Sequence, residues 1–248
     1  RKKGRTPTKA NSTNKVKKEI PRTQRKINHL LDHEGSGDTF KYFKRLNGRV
    51  GFTEGKEVYL TEKWDGTTVQ ATNQGIFKRF DKIKKGDSRK HNASEAERYD
   101  IKELDLDDKS NKHIAKALKN YVEVFKTLPD GYCVYFEALG PNIGGRFKHI
   151  PSFHEIRVFD FSLKGEYLPF EEAITLAEQY ELPLTSYKST TLNISNILDL
   201  LDNPTCYDDV DAQLEGYVVR EVGYDLPNGG AIAKIRVDDL EKVSNDNI

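Results

Sequence analysis

Two β-prone runs, Glu57 to Lys63 and Thr67 to Ala71, are separated by only Trp64-Asp65-Gly66. A chain that leaves one strand and starts another within three residues must turn sharply, and Asp-Gly supplies the residue types that allow it. Ile76 to Phe80 reads as a third strand, set off by the turn Thr72-Asn73-Gln74-Gly75. Tyr132 to Leu139, Ile156 to Phe161, Gly216 to Val222 and Ala231 to Val237 are further strand runs. Helical spacing is confined to Ile114, Ala115, Leu118, Tyr121, Val122, Phe125 and Leu128, and to short stretches after Pro169 and over Ile194 to Leu201. Pro129-Asp130-Gly131 closes the first of these helices. The charged stretch Asp81 to Lys112 is expected to be a surface excursion. Many strands with few helices between them predict an α+β fold of antiparallel sheets flanked by helices.

The 248 residues can bury a sizeable core, and they carry 40 Lys+Arg against 39 Asp+Glu. Net charge alone therefore does not point to nucleic acid. The charge is unevenly spread, however. Residues 1–28 form a basic arm or linker with Arg1, Lys2, Lys3, Arg5, Lys9, Lys15, Lys17, Lys18, Arg22, Arg25 and Lys26 against the single acid Glu19. Composition leaves two readings open there, a solvated terminus or a contact to a phosphate backbone. Residues 29–248 read as one globular domain.

Cys133 and Cys206 are far apart and the six histidines show no ligand spacing, so neither a disulfide framework nor a zinc site is expected. No apolar run approaches a membrane span, so no membrane partner is expected, and no secretory signal opens the chain. An intracellular place, cytoplasmic or nuclear, is the expectation, while the Arg- and Ser/Thr-containing start could imitate an organelle transit peptide. The chain has no methionine and reads as a fragment of something longer.

Lys63 stands just before the Asp-Gly corner with Asp65 two residues on. A lysine in such a turn, its amine poised by neighbouring charges, is a candidate covalent nucleophile toward phosphorus. Asp65, Glu137 and Glu215 are carboxylates at strand ends, the usual way to hold a hard cation such as Mg2+ or Mn2+. Lys234 and Arg236 alternate with apolar residues and so share a strand face, where two cations could clamp one phosphate. Of the adjacent Lys78 and Arg79, one should look inward. Phe159 and Val218 suit a core, and equally a slot for a planar base.

In sequence order these segments resemble the covalent nucleotidyltransferase superfamily of ATP-dependent polynucleotide ligases and mRNA capping enzymes, and most of all the ATP-dependent RNA ligases. Glu62-Lys63-Trp64-Asp65-Gly66-Thr67 looks like the nucleotidyl-lysine motif, and Glu137 like the acid of the third motif, followed by Val158-Phe159-Asp160-Phe161. Glu215-Gly216-Tyr217-Val218-Val219-Arg220 is similar to the fourth motif and Lys234-Ile235-Arg236 to the fifth. The resemblance implies a nucleotidyltransferase domain built around an ATP cleft, with AMP as a covalent adduct of Lys63 and a divalent metal. It further implies that Glu215 holds or orients the metal, that Glu137 binds ribose or metal water, and that Lys234 and Arg236 grip the α-phosphate. Arg79 would lie near the ribose or the 5′-phosphate. The adenine would pack between Val218 and an aromatic on the Phe159 strand, with the Glu62 main chain reading its amino group.

The implied partners are RNA ends, a 5′-phosphate and a 3′-hydroxyl, in single strands or a nicked duplex, with an accessory domain in a longer chain. Two departures favour an RNA ligase. DNA ligases and capping enzymes usually show arginine where this chain has Thr68, and they continue into an OB-fold domain where this chain stops at Ile248. Arg236 stands where the family generally has lysine. The adenylation core of a DNA ligase, and an RNA-binding protein on a ligase scaffold without catalysis, are the alternatives.

Overall fold

The computed structural model describes residues 20–22, 24–35, 39–83, 87–91, 93–144, 153–202, 204 and 213–243. The first nineteen residues of the basic arm, His149 and Cys206 lie outside the described residues. In chain order the strands are β1 (Asn28–His29), β2 (Leu31–Glu34), β3 (Lys41–Leu46), β4 (Glu57–Lys63), β5 (Thr67–Thr72), β6 (Gly75–Asp81) and β7 (Tyr99–Glu103), with α1 (Glu95–Arg98) before β7. There follow α2 (Lys112–Leu118), α3 (Val122–Lys126), β8 (Tyr132–Leu139), β9 (Glu155–Leu163), β10 (Glu166–Tyr167) and α4 (Phe170–Gln179). The chain continues through β11 (Tyr187–Thr191), α5 (Ile194–Asp202), β12 (Gly216–Glu221), β13 (Ile232–Arg236) and α6 (Val237–Leu240).

Two sheets organise the domain. One has the order β1-β13-β12-β4-β11 and the other β10-β9-β8-β5-β6-β7; only the β1–β13 pairing within them is parallel. The predicted α+β class with antiparallel sheet is what the chain adopts. Each sheet covers its own core, as period-two alternation requires. Val69, Val134, Phe136, Ile156, Val158 and Phe161 of the six-stranded sheet pack against Leu118 of α2, Phe125 of α3 and Phe170 of α4. Val58, Leu60, Tyr217, Val219, Ala233 and Ile235 of the five-stranded sheet pack against Leu31, Tyr42 and α5 residues Ile197 and Leu201. On the opposite faces, Thr61, Val218 and Lys234 of the five-stranded sheet and Thr68, Glu137 and Phe159 of the six-stranded sheet line a cleft between the sheets.

Trp64-Asp65-Gly66 is not a hairpin. β4 and β5 belong to different sheets, so this corner carries the chain from one to the other. A Cβ on Gly66 would lie 2.2 Å from the Ala138 carbonyl oxygen, so only glycine lets the corner approach β8 this closely. The Asn73-Gln74 turn between β5 and β6 is as expected, with Thr72 opposite Gly75. The single helix expected over 114–128 is divided into α2 and α3. The break lets the Tyr121 hydroxyl donate to Glu155 Oε1 at 2.6 Å, while Ile114, Leu118, Phe125 and Leu128 still share one core.

β7 lies in the stretch expected to be a surface excursion. It is the outermost strand of its sheet, and its charged residues dilute the alternation of Tyr99 and Ile101. β11 is an edge strand of mostly exposed polar residues, which leaves little periodic signal. Residues 24–28, within the segment read as an arm, are built into the fold: Asn28 pairs with Ala233, and Arg25 donates its main-chain N–H to the Tyr167 hydroxyl at 2.7 Å. No helix among the described residues is long and apolar enough to cross a membrane.

Candidate functional site

Three strand ends meet at Lys63. Gly216 of β12 stands opposite Lys63 on one side and Arg236 on the other. The Glu215 N–H donates to the Lys63 carbonyl at 2.8 Å, and the Val237 N–H donates to the Glu215 carbonyl at 2.9 Å. Gly216 allows this close knitting. Its φ is +154°, and a Cβ there would meet the Ile235 carbonyl oxygen at 2.1 Å. Segments more than 150 residues apart in sequence are thereby laid side by side, and the Lys63 ammonium donates directly to Glu215 Oε2.

The cleft beside Lys63 spans about 720 Å³ when the solvent-open space at its mouth is counted. Thr61, Lys63, Val218, Arg220 and Lys234 line it from the five-stranded sheet. Thr68, Glu137, Arg157 and Phe159 face them from the six-stranded sheet. Glu62, Trp64 and Thr185 complete one end, and Gln24, Arg25 and Ile27 another wall.

Of the residues singled out in the sequence, Lys63, Glu62, Glu137, Phe159, Val218 and Lys234 share this cleft, with Glu215 in contact with Lys63. The register also decides which β9 residue faces it. Tyr135 pairs with Asp160 and Phe136 with Val158, so Phe159 is the extra residue of a β-bulge. The bulge turns Phe159 and Asp160 toward the cleft side, while Ile156 stays in the core.

Three expected residues do not line the cleft. Asp65 is not among the cleft-lining residues. Arg236 shares the strand face of Lys234, but its guanidinium donates to Asp239 Oδ1 at 3.2 Å at the start of α6. Arg79 also lies outside the cleft, with its guanidinium 4.1 Å from the centre of the Tyr99 ring. Thr185, Arg157 and Arg25 were not singled out as site residues. Thr185 and Arg157 sit in runs with no motif, and Arg25 sits in a segment whose composition resembles a tail.

Glu137 holds the corner after Lys63. Its Oε1 accepts from the Gly66 N–H and its Oε2 from the Thr68 hydroxyl, each at 2.9 Å. Burial pushes its carboxyl up to about 7, against the pull of the Lys63 charge and these two donors. Lys234 is displaced the other way, down to about 8, by burial and by the charges of Lys63 and Arg236. A desolvated acid and a desolvated amine facing one cleft are what an anionic ligand with its counter-cation would relieve.

Among the described residues no three His, Cys, Asp or Glu side chains converge as a metal cage. The donor set of Glu137 and Glu215 instead suits Mg2+ or Mn2+, which bind through one or two carboxylates plus water and substrate phosphates.

Among curated proteins none matches the chain. Solved structures of the Naegleria gruberi RNA ligase share its fold. A mutant with ATP and Mn superposes with a TM-score of 0.52 at 17% identity, over 91% of this chain and 64% of that one. An apo mutant gives 0.56 at 18% identity, over 90% and 63%. The form with PPi gives 0.52 at 18%, over 92% and 64%. This chain thus spans less than two thirds of those structures. The family described as RNA ligase matches residues 56–236, from the start of the Lys63 strand to the end of the Lys234 strand. With well over half of its length matched, and every strand that lines the Lys63 cleft inside the match, the chain belongs to the RNA ligase family.

Proposed function

We propose that this chain is the nucleotidyltransferase part of an ATP-dependent RNA ligase. The observation that carries the reading is the Lys63–Glu215 contact at the end of a cleft walled by Phe159 and Val218 and charged by Lys234 and Glu137. The Lys63 amine attacks the α-phosphorus of ATP, forming a P–N bond as the P–O bond to pyrophosphate breaks. Glu215, already in contact with Nζ, takes the proton that the amine must lose. Lys234 offsets charge on the phosphate oxygens, and its desolvation strengthens that interaction.

The adenine lies between Phe159 and Val218. Its amino group donates to the Glu62 carbonyl, which accepts the Thr185 hydroxyl at 2.9 Å and retains a second lone pair. A Mg2+ or Mn2+ ion held by Glu215 and Glu137 would supply neutralisation of the triphosphate charge. AMP then passes from Lys63 to an RNA 5′-phosphate, and a 3′-hydroxyl displaces it to seal the strand. A nicked duplex presents both ends together, and an accessory domain in a longer protein would help to hold them. Residues 1–28 contribute phosphate contacts, and the place of action is intracellular. The ATP, Mn and PPi in the Naegleria structures support this choice of nucleotide, metal and product.

The test is incubation with α-labelled ATP and Mg2+ or Mn2+, resolved on a denaturing gel. A Lys63-dependent covalent adenylate supports the reading. Label from GTP instead would make the chain a guanylyltransferase, and no label under either metal would leave only RNA binding. Assays on nicked RNA, nicked DNA and single-stranded RNA then assign the substrate.

A further inference from the structure

Arg22 and residues 24–29 cross the cleft from one sheet to the other. The Arg22 carbonyl accepts from Gln70 Nε2 of β5 at 2.7 Å. Arg25 stacks 4.3 Å from the centre of the Tyr167 ring and donates to the Asn228 carbonyl at 2.8 Å. The strap ends as β1 beside β13, where the Leu30 N–H donates to the Lys234 carbonyl at 2.8 Å.

Beneath this strap, Asp160 of β9 is fully buried. Its Oδ1 accepts from Arg220 of β12 at 2.7 Å, and Arg25 Nη2 lies 3.9 Å from the same oxygen. The Asp160–Arg220 pair is a charged bridge between the two sheets. It stands one residue from Phe159 on β9 and two from Val218 on β12, the residues that face each other across the cleft. A desolvated ion pair holds its geometry tightly, because separating the charges in the interior is costly.

We infer that Arg25 is a positioning residue for the nucleotide base, acting with Asp160 and Arg220 to set the separation of the two sheets at the Phe159–Val218 slot. The inference rests on the assignment of that slot to a base. Arg25 shares the Asp160 carboxylate with Arg220 as a second cation from the strap side, and it walls the cleft itself. The strap, rather than the first sheet strand, therefore begins the nucleotide site. Since the cluster adjoins the base slot and Lys234 lines the phosphate side, the effect of Arg25 is specific to the base half of the nucleotide.

The test compares wild type, Arg25→Ala and Arg25→Lys. Lysyl-adenylate formation is followed against ATP concentration. Binding of adenosine and of inorganic pyrophosphate is measured separately by calorimetry, and thermal melting checks the fold. In Arg25→Ala, KM for ATP and Kd for adenosine are expected to rise about tenfold or more, with kcat within about threefold and pyrophosphate binding unchanged. Arg25→Lys should recover part of the loss.

Unchanged adenosine binding in Arg25→Ala overturns the inference. Equal weakening of adenosine and pyrophosphate, or a melting temperature far below wild type, also overturns it, since Arg25 would then be merely structural. A wild type that binds adenosine but forms no adenylate overturns the ligase reading and leaves the slot to be judged by calorimetry alone.

Discussion

Gly66→Ala should uncouple the corner from its support. The added Cβ would sit 2.2 Å from the Ala138 carbonyl oxygen, 2.8 Å from Leu139 Cδ2 and 3.0 Å from Glu137 Cγ. Ala138 and Leu139 are buried, and Ala138 is held in the β8 ladder opposite Thr67 and Ile156, so the corner must retreat by roughly 1 Å. The Gly66 N–H would then leave Glu137 Oε1, now 2.9 Å away, beyond hydrogen-bond reach. Overpacking and a lost partner for a partly buried carboxylate together cost about 2–4 kcal/mol, and the stiffer unfolded chain returns less than about 1 kcal/mol.

A displacement of about 1 Å so near Lys63 should slow adenylate formation about 100-fold. Urea denaturation reads the first effect and single-turnover labelling the second. Gly48→Ala, where an added Cβ meets nothing within 4 Å, is the control and should stay within about 1 kcal/mol of wild type. If Gly66→Ala unfolds like that control and labels at a normal rate, the corner is not held by close approach to β8 and the reasoning fails.

Lys63→Ala should abolish adenylate formation while melting near wild type, because Lys63, with 24% of its side chain exposed, has its ion pair at the cleft and not in a core; residual label at a normal rate would remove it as nucleophile. Asp160→Ala leaves the Arg220 charge buried and unpaired, so stability measured in urea should drop by about 3–5 kcal/mol; a loss below about 1 kcal/mol would show that the cluster does not hold the sheets. Glu137 has a folded pKa of about 7 against 4.5 for the ordinary group, so the native state binds the extra proton between those values. Its contribution is therefore complete below pH 4.5 and is lost as pH rises toward 7. Relative to Glu137→Gln, the wild type should lose about 3 kcal/mol over that window, and parallel pH profiles would refute the burial argument.

Much of the candidate site is legible in the residue order. The strands from Glu57, Tyr132 and Gly216 begin where alternation and turn residues put them, because each buries one face on a local core. Lys63, Glu137, Glu215 and Lys234 each stand at or near the end of such a strand, where a side chain can be charged without spoiling a core. That is a one-dimensional signal, and spacing reveals it. β7, β11 and the strap are not legible in the same way. Their pairing comes from partners far away in sequence, and their own residues are too polar for periodicity to mark them.

What the sequence determines by itself is the inventory: an α+β chain with a lysine beside an Asp-Gly corner, and acids and cations at the ends of later strands. Only the tertiary structure decides which of these meet. It takes the corner across two sheets, turns Phe159 to the cleft through a bulge, ties Arg236 to Asp239, and brings Arg25 from a tail-like segment into the wall. The physical reason is that strand pairing and bulge position depend on hydrogen bonds between distant segments. The residues themselves set only which face of each strand is apolar.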